Sequence, residues 1–173
     1  WESTEAARAR DYLAGRGFSE EILRRFRVGY SPSAWDRMLL GARLSGFSEE
    51  ELMAAGLAQR GRDGRSAYDR FRARIMFPLA DGRGRVLGFG ARQMGEGRGP
   101  KYLNTSENEL YHKGRQLFGL DIARAEAAKS GRIVVVEGYT DVLALHQAGI
   151  REAVAIMGTA LTQEQLAEVG RAA

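Results

Sequence analysis

Residues 133–149 read IVVVEGYTDVLALHQAG, and the reading of this stretch decides the fold. Four β-branched apolar residues, 133–136, run into Glu137; a glycine follows, and a second acid, Asp141, comes four residues after the first. The pattern over 140–148 predicts a helix closed by Gly149. A second apolar run at 153–157 predicts another strand. Thr162-Gln163-Glu164-Gln165 then fits a capping box at the start of a further helix. Strand, helix, strand and helix in this order form a βαβα unit, which implies a parallel sheet with a right-handed crossover. In open α/β sheets, ligands sit at the carboxyl ends of the strands. Glu137 lies at that end of one strand, Gly158-Thr159 at that end of the next, and Asp141 in the first turn of the helix near the same rim. Each acid alone has a bland explanation, as a polar strand end or as a carboxylate favoured by the helix dipole. Two acids on one rim, next to an arginine-rich segment, favour function. Oxygen donors without Cys or His suit Mg²⁺ or Mn²⁺.

The 173 residues fit one domain, or one domain plus part of another. The chain starts at Trp1 and stops in a polar helical stretch at Ala173, so we read it as a fragment. Without cysteine there are no disulfides and no thiolate zinc or iron–sulfur site. With two histidines, His112 and His146, a histidine-rich metal centre is excluded as well. No apolar run approaches the ~20 residues of a membrane helix, and the first residues lack a signal-peptide pattern. A cytoplasmic protein without a membrane partner is expected.

The charge is uneven. Positions 60–115 hold 13 basic and 6 acidic residues, a net +7, whereas the chain as a whole is +4 and the remainder is −3. Arginine dominates this segment, and the planar guanidinium suits bidentate contacts to phosphate. Tyr68, Phe71, Phe89, Tyr102 and Tyr111 are interleaved with the basic residues, among them Arg98. A charge run is usually a solvated face; this one, on glycine-rich strands with aromatics, favours a groove for a polyanion.

Three regions follow along the chain. The first, to about residue 59, reads as helical: a helix over 4–14 closing at Gly15-Arg16-Gly17, a short helix begun by Ser19-Glu20-Glu21, and a capping box at Ser48-Glu49-Glu50-Glu51. The second, about 60–118, reads as strands, with a hairpin turning at Asp81-Gly82-Arg83-Gly84. A glycine-rich loop, GEGRGPKYLN, leads to another extended piece. The third begins with a helix over 120–129 ended by Gly131 and continues into the βαβα unit. The expected fold is therefore α+β and α/β: a mixed basic subdomain of helices and antiparallel strands over 1–118, then a linking helix and a truncated βαβα subdomain over 119–173. The two parallel strands would lack later sheet neighbours. The fragment is therefore expected to fold only partly as an independent unit, the helical and basic region being the more stable part, with 153–173 exchanging faster than the 75–90 hairpin. Unless the basic region or another copy of the chain covers them, the two strands expose apolar faces and a free edge.

Arg72 and Arg74, at i and i+2, would share one side of a strand and face the groove. Lys101 and Lys113 are candidates for phosphates as point charges, although a solvated hairpin lysine is the simpler reading of Lys113. Core or turn roles are favoured over base stacking for Tyr102 and Tyr111, and a packed role over a catalytic one for His146. Gly88, Gly90, Gly95, Gly97 and Gly99 are read first as loop flexibility.

At this point a family resemblance carries further. VVEGYTDVLALHQAG followed by AVAIMGTALT resembles the TOPRIM segment of bacterial DnaG-type primases. The resemblance continues through YDRFRARIMFPLADGRGRVLGFGARQ and KYLNTSENELYHKGRQLFGL, and more weakly through YLAGRGFSEEILRRFRVGYSP. It implies part of an enzyme that lays down short RNA primers on single-stranded DNA from ribonucleoside triphosphates with Mg²⁺ (or Mn²⁺). It implies Glu137 as a metal-holding acid and Asp141 as a supporting one. It also maps template- or nucleotide-binding cations onto Arg16 in YLAGRG, Arg72 and Arg74 in FRARIMFP, Arg92 in GFGAR, Lys101 in KYLN and Lys113 in YHKGR. The implied partners are single-stranded template, RNA–DNA hybrid and, through a domain not in this sequence, the replicative helicase. The family's Asp-x-Asp motif and its cysteine-bearing zinc domain are likewise not here. The fragment alone is therefore expected to be inactive, with zinc only in a separate domain. Another TOPRIM enzyme that cuts or rejoins nucleic acid, or a non-catalytic binding module, remains the alternative.

Overall fold

The computed structural model describes residues 1–62, 64–95, 99–158 and 160–173; Gly97, Arg98 and Thr159, named above, lie outside them. Its centre is the hairpin of β4 (Arg74–Ala80) and β5 (Val86–Gln93), turning where the sequence indicates. Asp81 shapes the turn: its Oδ1 accepts from the backbone of Arg83 at 2.9 Å and of Arg85 at 3.1 Å, a side-chain mimic of a backbone turn. β1 (Gly29–Ser31) and β6 (Tyr102–Asn104) flank the hairpin in the antiparallel order β1-β4-β5-β6. Pro78 lies beyond the last β1 pair, Gly29 with Met76, so its missing N–H interrupts no β1 bond.

The first region is less uniformly helical than expected. α1 (Ala7–Gly15) and α2 (Glu20–Arg25) form, the latter capped by Ser19, but β1 follows directly. α3 (Arg37–Leu44), α4 (Glu49–Ala54) and the small hairpin β2 (Ala58–Arg60)/β3 (Ala67–Asp69) then build a minor lobe around Leu39, Leu52 and Ala58. The Ser48–Glu51 capping box is present on α4. α3 has no local cap. The buried Asp69 carboxylate, 30 residues downstream, accepts from Met38 N at 2.7 Å and Leu39 N at 2.9 Å instead.

The third region consists of α5 (Leu120–Ser130), β7 (Val134–Val136), α6 (Tyr139–Gln147), β8 (Ala153–Ala155) and α7 (Gln163–Ala172), with β7 and β8 parallel as predicted. The expectation of a poorly covered β8 needs correction, because the basic region supplies its cover. Phe118 forms an antiparallel bridge with Ala155 through bonds of 2.9 and 3.0 Å. One apolar core then runs from Leu13, Ile22 and Phe26 through Ile75, Phe77 and Leu79 to Phe118, Tyr139, Val142, Leu143 and Ala155. All three β8 residues are fully buried, whereas Val135 on β7 stays 38% exposed.

Gly88 and Gly90 are not loop glycines. Both lie inside β5, on the face that meets this core. A Cβ on Gly90 would stand 2.0 Å from Tyr139 Oη, and one on Gly88 would stand 2.9 Å from Thr105 Oγ1. Their missing side chains admit Tyr139, Tyr111 and Thr105 against the strand.

His146 is packed, as expected: its ring meets Phe26 edge-on at 4.8 Å, and Nε2 lies 2.9 Å from Ala153 O. Burial lowers its pKa below the ordinary 6.5, opposed by the Ala153 carbonyl. Among the described residues Nδ1 is buried without a partner, so protonation would add a buried, unpaired donor. The unfolded chain therefore takes up the proton first, and stability falls as pH drops below about 6.5 until the folded imidazole also titrates. We predict that the urea midpoint falls between about pH 7.5 and 5.5, and that His146→Gln removes part of that fall. An equal fall in the variant would assign the effect to other groups.

Candidate nucleic-acid and nucleotide interface

The parallel pairing brings the carboxyl ends of β7 and β8 side by side: Met157 N donates to Glu137 O at 3.2 Å. The Glu137 and Asp141 side chains are both exposed on this rim. Asp141 Oδ2 accepts from Gly138 N at 3.1 Å, so one of its oxygens caps α6 and the other is left for a ligand. Lys113 arrives at the same rim from the basic region. It opens a 3-10 turn over Lys113–Arg115, and its Cε lies 3.7 Å from where a Cβ on Gly158 would stand. Lys113 is thus docked at the end of β8 rather than waving from a hairpin.

Glu137 and Asp141 are hard oxygen donors, the right chemistry for Mg²⁺ or Mn²⁺. Their number falls short: among the described residues no group of three or more His, Cys, Asp or Glu could hold a metal ion. A divalent ion here needs further oxygens, from a phosphate or from other carboxylates.

Two more cations meet near this rim through one aromatic ring. Arg16, just past α1, donates from Nη1 to Tyr12 Oη at 3.0 Å. The Arg92 guanidinium of β5 sits 4.4 Å from the Tyr12 ring centre. Arg92 is two residues from Gly90 and therefore shares the sheet face on which Tyr139 lies. Arg16 and Asp141 line one open cleft of about 330 Å³, together with Phe18, Thr140 and Gln147.

The expectation for Arg72 and Arg74 needs correction. Ala73 has φ +49°, so the strand begins only at Arg74 and the two side chains do not share a strand face. Arg72 stacks on two rings instead, its guanidinium 4.0 Å from Trp35 and 4.9 Å from Tyr68. Arg74 is 7% exposed and donates to Pro100 O at 3.0 Å and, more weakly, to Lys101 O at 3.5 Å. Burial pushes its pKa down. Arg74 fixes the loop that presents Lys101 and does not itself face solvent. Lys101 is exposed, with Nζ 5.9 Å from the Tyr102 ring. Tyr111 is a core residue, its hydroxyl pushed up to about 12 by burial, but Tyr102 is 49% exposed and is neither core nor turn.

Trp35 escaped the sequence reading. It is 64% exposed, edge-on to Tyr68 at 5.3 Å. An exposed Trp beside a Tyr and an Arg has the composition of surfaces on which bases stack. The only local signal is an aromatic residue in a polar turn; β3, distant in sequence, supplies the rest.

Residues 1–124 match the family model described as DNA primase catalytic core, N-terminal domain. The chain belongs to that family. A Toprim domain model matches residues 131–172, in line with the TOPRIM reading of the βαβα unit. Among curated DNA primases, that of Deinococcus radiodurans is 49% identical over 156 residues, 90% of this chain and 27% of the relative. That of Escherichia coli K12 is 48% identical over 169 residues, 96% of this chain and 28% of the relative. The RNA polymerase domain of Mycobacterium tuberculosis primase DnaG superposes with a TM-score of 0.92 at 45% identity, covering 98% of this chain and 55% of that one. A DnaG primase catalytic domain bound to single-stranded DNA gives a TM-score of 0.88 at 45% identity, covering 99% of this chain and 53% of that one. This primase core chain thus spans little more than a quarter of those curated relatives and about half of those solved cores. Toprim domains and primases use divalent metal in general. Among the described residues no helix is long and apolar enough to cross a membrane.

Proposed function

We propose that this chain is the part of a DNA primase that grips the template and the nucleotide phosphates while short RNA primers are made on single-stranded DNA. The observation that carries this reading is the convergence of Arg16, Arg92 and Lys113 on the rim that bears Glu137 and Asp141, with Arg72 and Lys101 along the same basic segment. In primer synthesis a hydroxyl of the growing strand attacks the α-phosphate of an incoming ribonucleoside triphosphate and pyrophosphate leaves. Such transfers are accelerated mainly by positioning and by positive charge around the phosphoryl group.

In this reading Arg16 at the cleft and Arg92, beside it across the Tyr12 ring, take triphosphate oxygens, and Lys113 meets phosphate at the end of β8. Trp35, Tyr68 and Arg72 hold the template strand, the ring by stacking and the guanidinium by its charge. Lys101 tracks the template or hybrid backbone, and Arg74 acts by holding the Lys101 loop. Glu137, supported by Asp141, would hold Mg²⁺ or Mn²⁺, which when bound supplies charge neutralisation at the phosphates. Two carboxylates do not close that site, so the fragment alone is expected not to catalyse. The replicative helicase would engage through a different domain, and a cytoplasmic location goes with replication.

Two measurements test this. Single-stranded DNA binding should weaken with salt, with a log–log slope of about −0.7 per phosphate neutralised. Trp35→Ala should cost about 1–3 kcal/mol of binding with the slope unchanged, whereas Arg72→Ala and Arg92→Ala together should flatten the slope. Salt-insensitive binding, or binding indifferent to all three changes, contradicts the groove. In the full-length enzyme, Glu137→Gln should abolish primer synthesis yet spare single-stranded DNA binding. Primer synthesis at near the unmutated rate would make Glu137 a strand terminator only.

A further inference from the structure

The turn that carries Lys113 is held from the Toprim side. Thr162 and Gln165 form the capping box of α7: Gln165 N donates to Thr162 Oγ1 at 3.0 Å and Thr162 N to Gln165 Oε1 at 3.1 Å. A cap needs nothing more, yet both side chains do more. The Thr162 hydroxyl donates to Gly114 O at 2.5 Å. Gln165 Nε2 donates to Gln116 O at 2.8 Å and is shared with Lys113 O at 3.3 Å and Ile156 O at 3.4 Å. Gln165 is 2% exposed. Burying an amide is costly unless it is satisfied, and here it is satisfied by carbonyls of the 113–116 turn and by the residue just past β8. Three of the four carbonyls of 113–116 are therefore pinned by two side chains of one helix end.

We infer that Thr162 and Gln165 are positioning residues for Lys113, an inference that rests on the reading of Lys113 as a phosphate-binding group. Lysine is a point charge on a flexible four-carbon stem, so its ammonium is only as well placed as its backbone and the surface under its stem. The α7 clamp fixes the first, and the chain at Gly158, against which the stem packs near Cε, forms part of the second. Together they set the charge beside the Glu137 rim, where a nucleotide phosphate would be held. Thr162 and Gln165 touch neither substrate nor template in this scheme.

The test is steady-state primer extension by the full-length enzyme, with KM for ribonucleoside triphosphate and kcat measured separately. Thr162→Val removes the hydroxyl and keeps the shape; Thr162→Ser keeps the hydroxyl. Thr162→Val should raise KM roughly tenfold, as expected for a misplaced binding group, and Thr162→Ser should restore it. In a Lys113→Ala background Thr162→Val should add nothing further, because contacts acting through one group are non-additive. Gln165→Leu should behave likewise; if its thermal melt shows that it does not fold, the Thr162 pair decides. An unchanged KM in Thr162→Val, or a rise of the same size with and without Lys113, overturns the inference. If Lys113→Ala alone leaves KM unchanged, the reading of Lys113 fails first and takes the positioning role with it.

Discussion

The hydroxyl end of Tyr139 packed against Gly90 is the contact on which the rest of this structure depends. The Tyr139 ring stacks on Phe77 at 4.7 Å and 5° and meets Phe118 edge-on at 5.0 Å. Its hydroxyl donates to Asn104 Oδ1 at 2.6 Å, and burial pushes its pKa up, so it stays a donor. Three elements of the basic sheet, β4, β5 and β6, are thereby tied to the first residue of α6. The approach is possible only because position 90 has no Cβ. Overpacking by even a methyl group at such a contact costs roughly 1–3 kcal/mol, and here the group would overlap the phenol outright.

The site inherits its geometry from that contact. Tyr139 is two residues after Glu137 and two before Asp141; Gly90 is two before Arg92; Asn104 is three after Lys101. Acids and cations that are far apart in sequence are therefore held at short range from a single aromatic residue. The α7 cap adds a second tie on the other side of β8, through the Lys113 turn. Between the two ties, the rim of β7 and β8 is framed by positive charge, which suits a nucleotide whose own charge is negative.

Much of this was legible in the sequence because it is local. The Asp81–Gly84 turn, the Ser48–Glu51 and Thr162–Gln165 boxes and the βαβα order are all short-range patterns, and the motifs around Glu137 pointed to the family directly. What was not legible depends on distant chain. α3 went unpredicted because Asp69 caps it from a strand far downstream. The i, i+2 spacing of Arg72 and Arg74 suggests one face, and the positive φ at Ala73 that separates them has no sequence signature. Gly88 and Gly90 read as flexible because the rings that fill their space come from elsewhere, and Trp35 gains a partner only when β3 folds beside it.

The central claim is that the basic sheet and the start of the Toprim unit share one core and open as one. Native-state hydrogen exchange on the dilute monomer tests it most directly. The account predicts that the amides of Ala153–Ala155 exchange with the same opening free energy as those of 75–77 and 79 in β4, and that Gly90→Ala lowers both together. Fast exchange in β8 with β4 still protected, or a Gly90→Ala effect confined to one of the two, would show that the parts are packed side by side without being coupled.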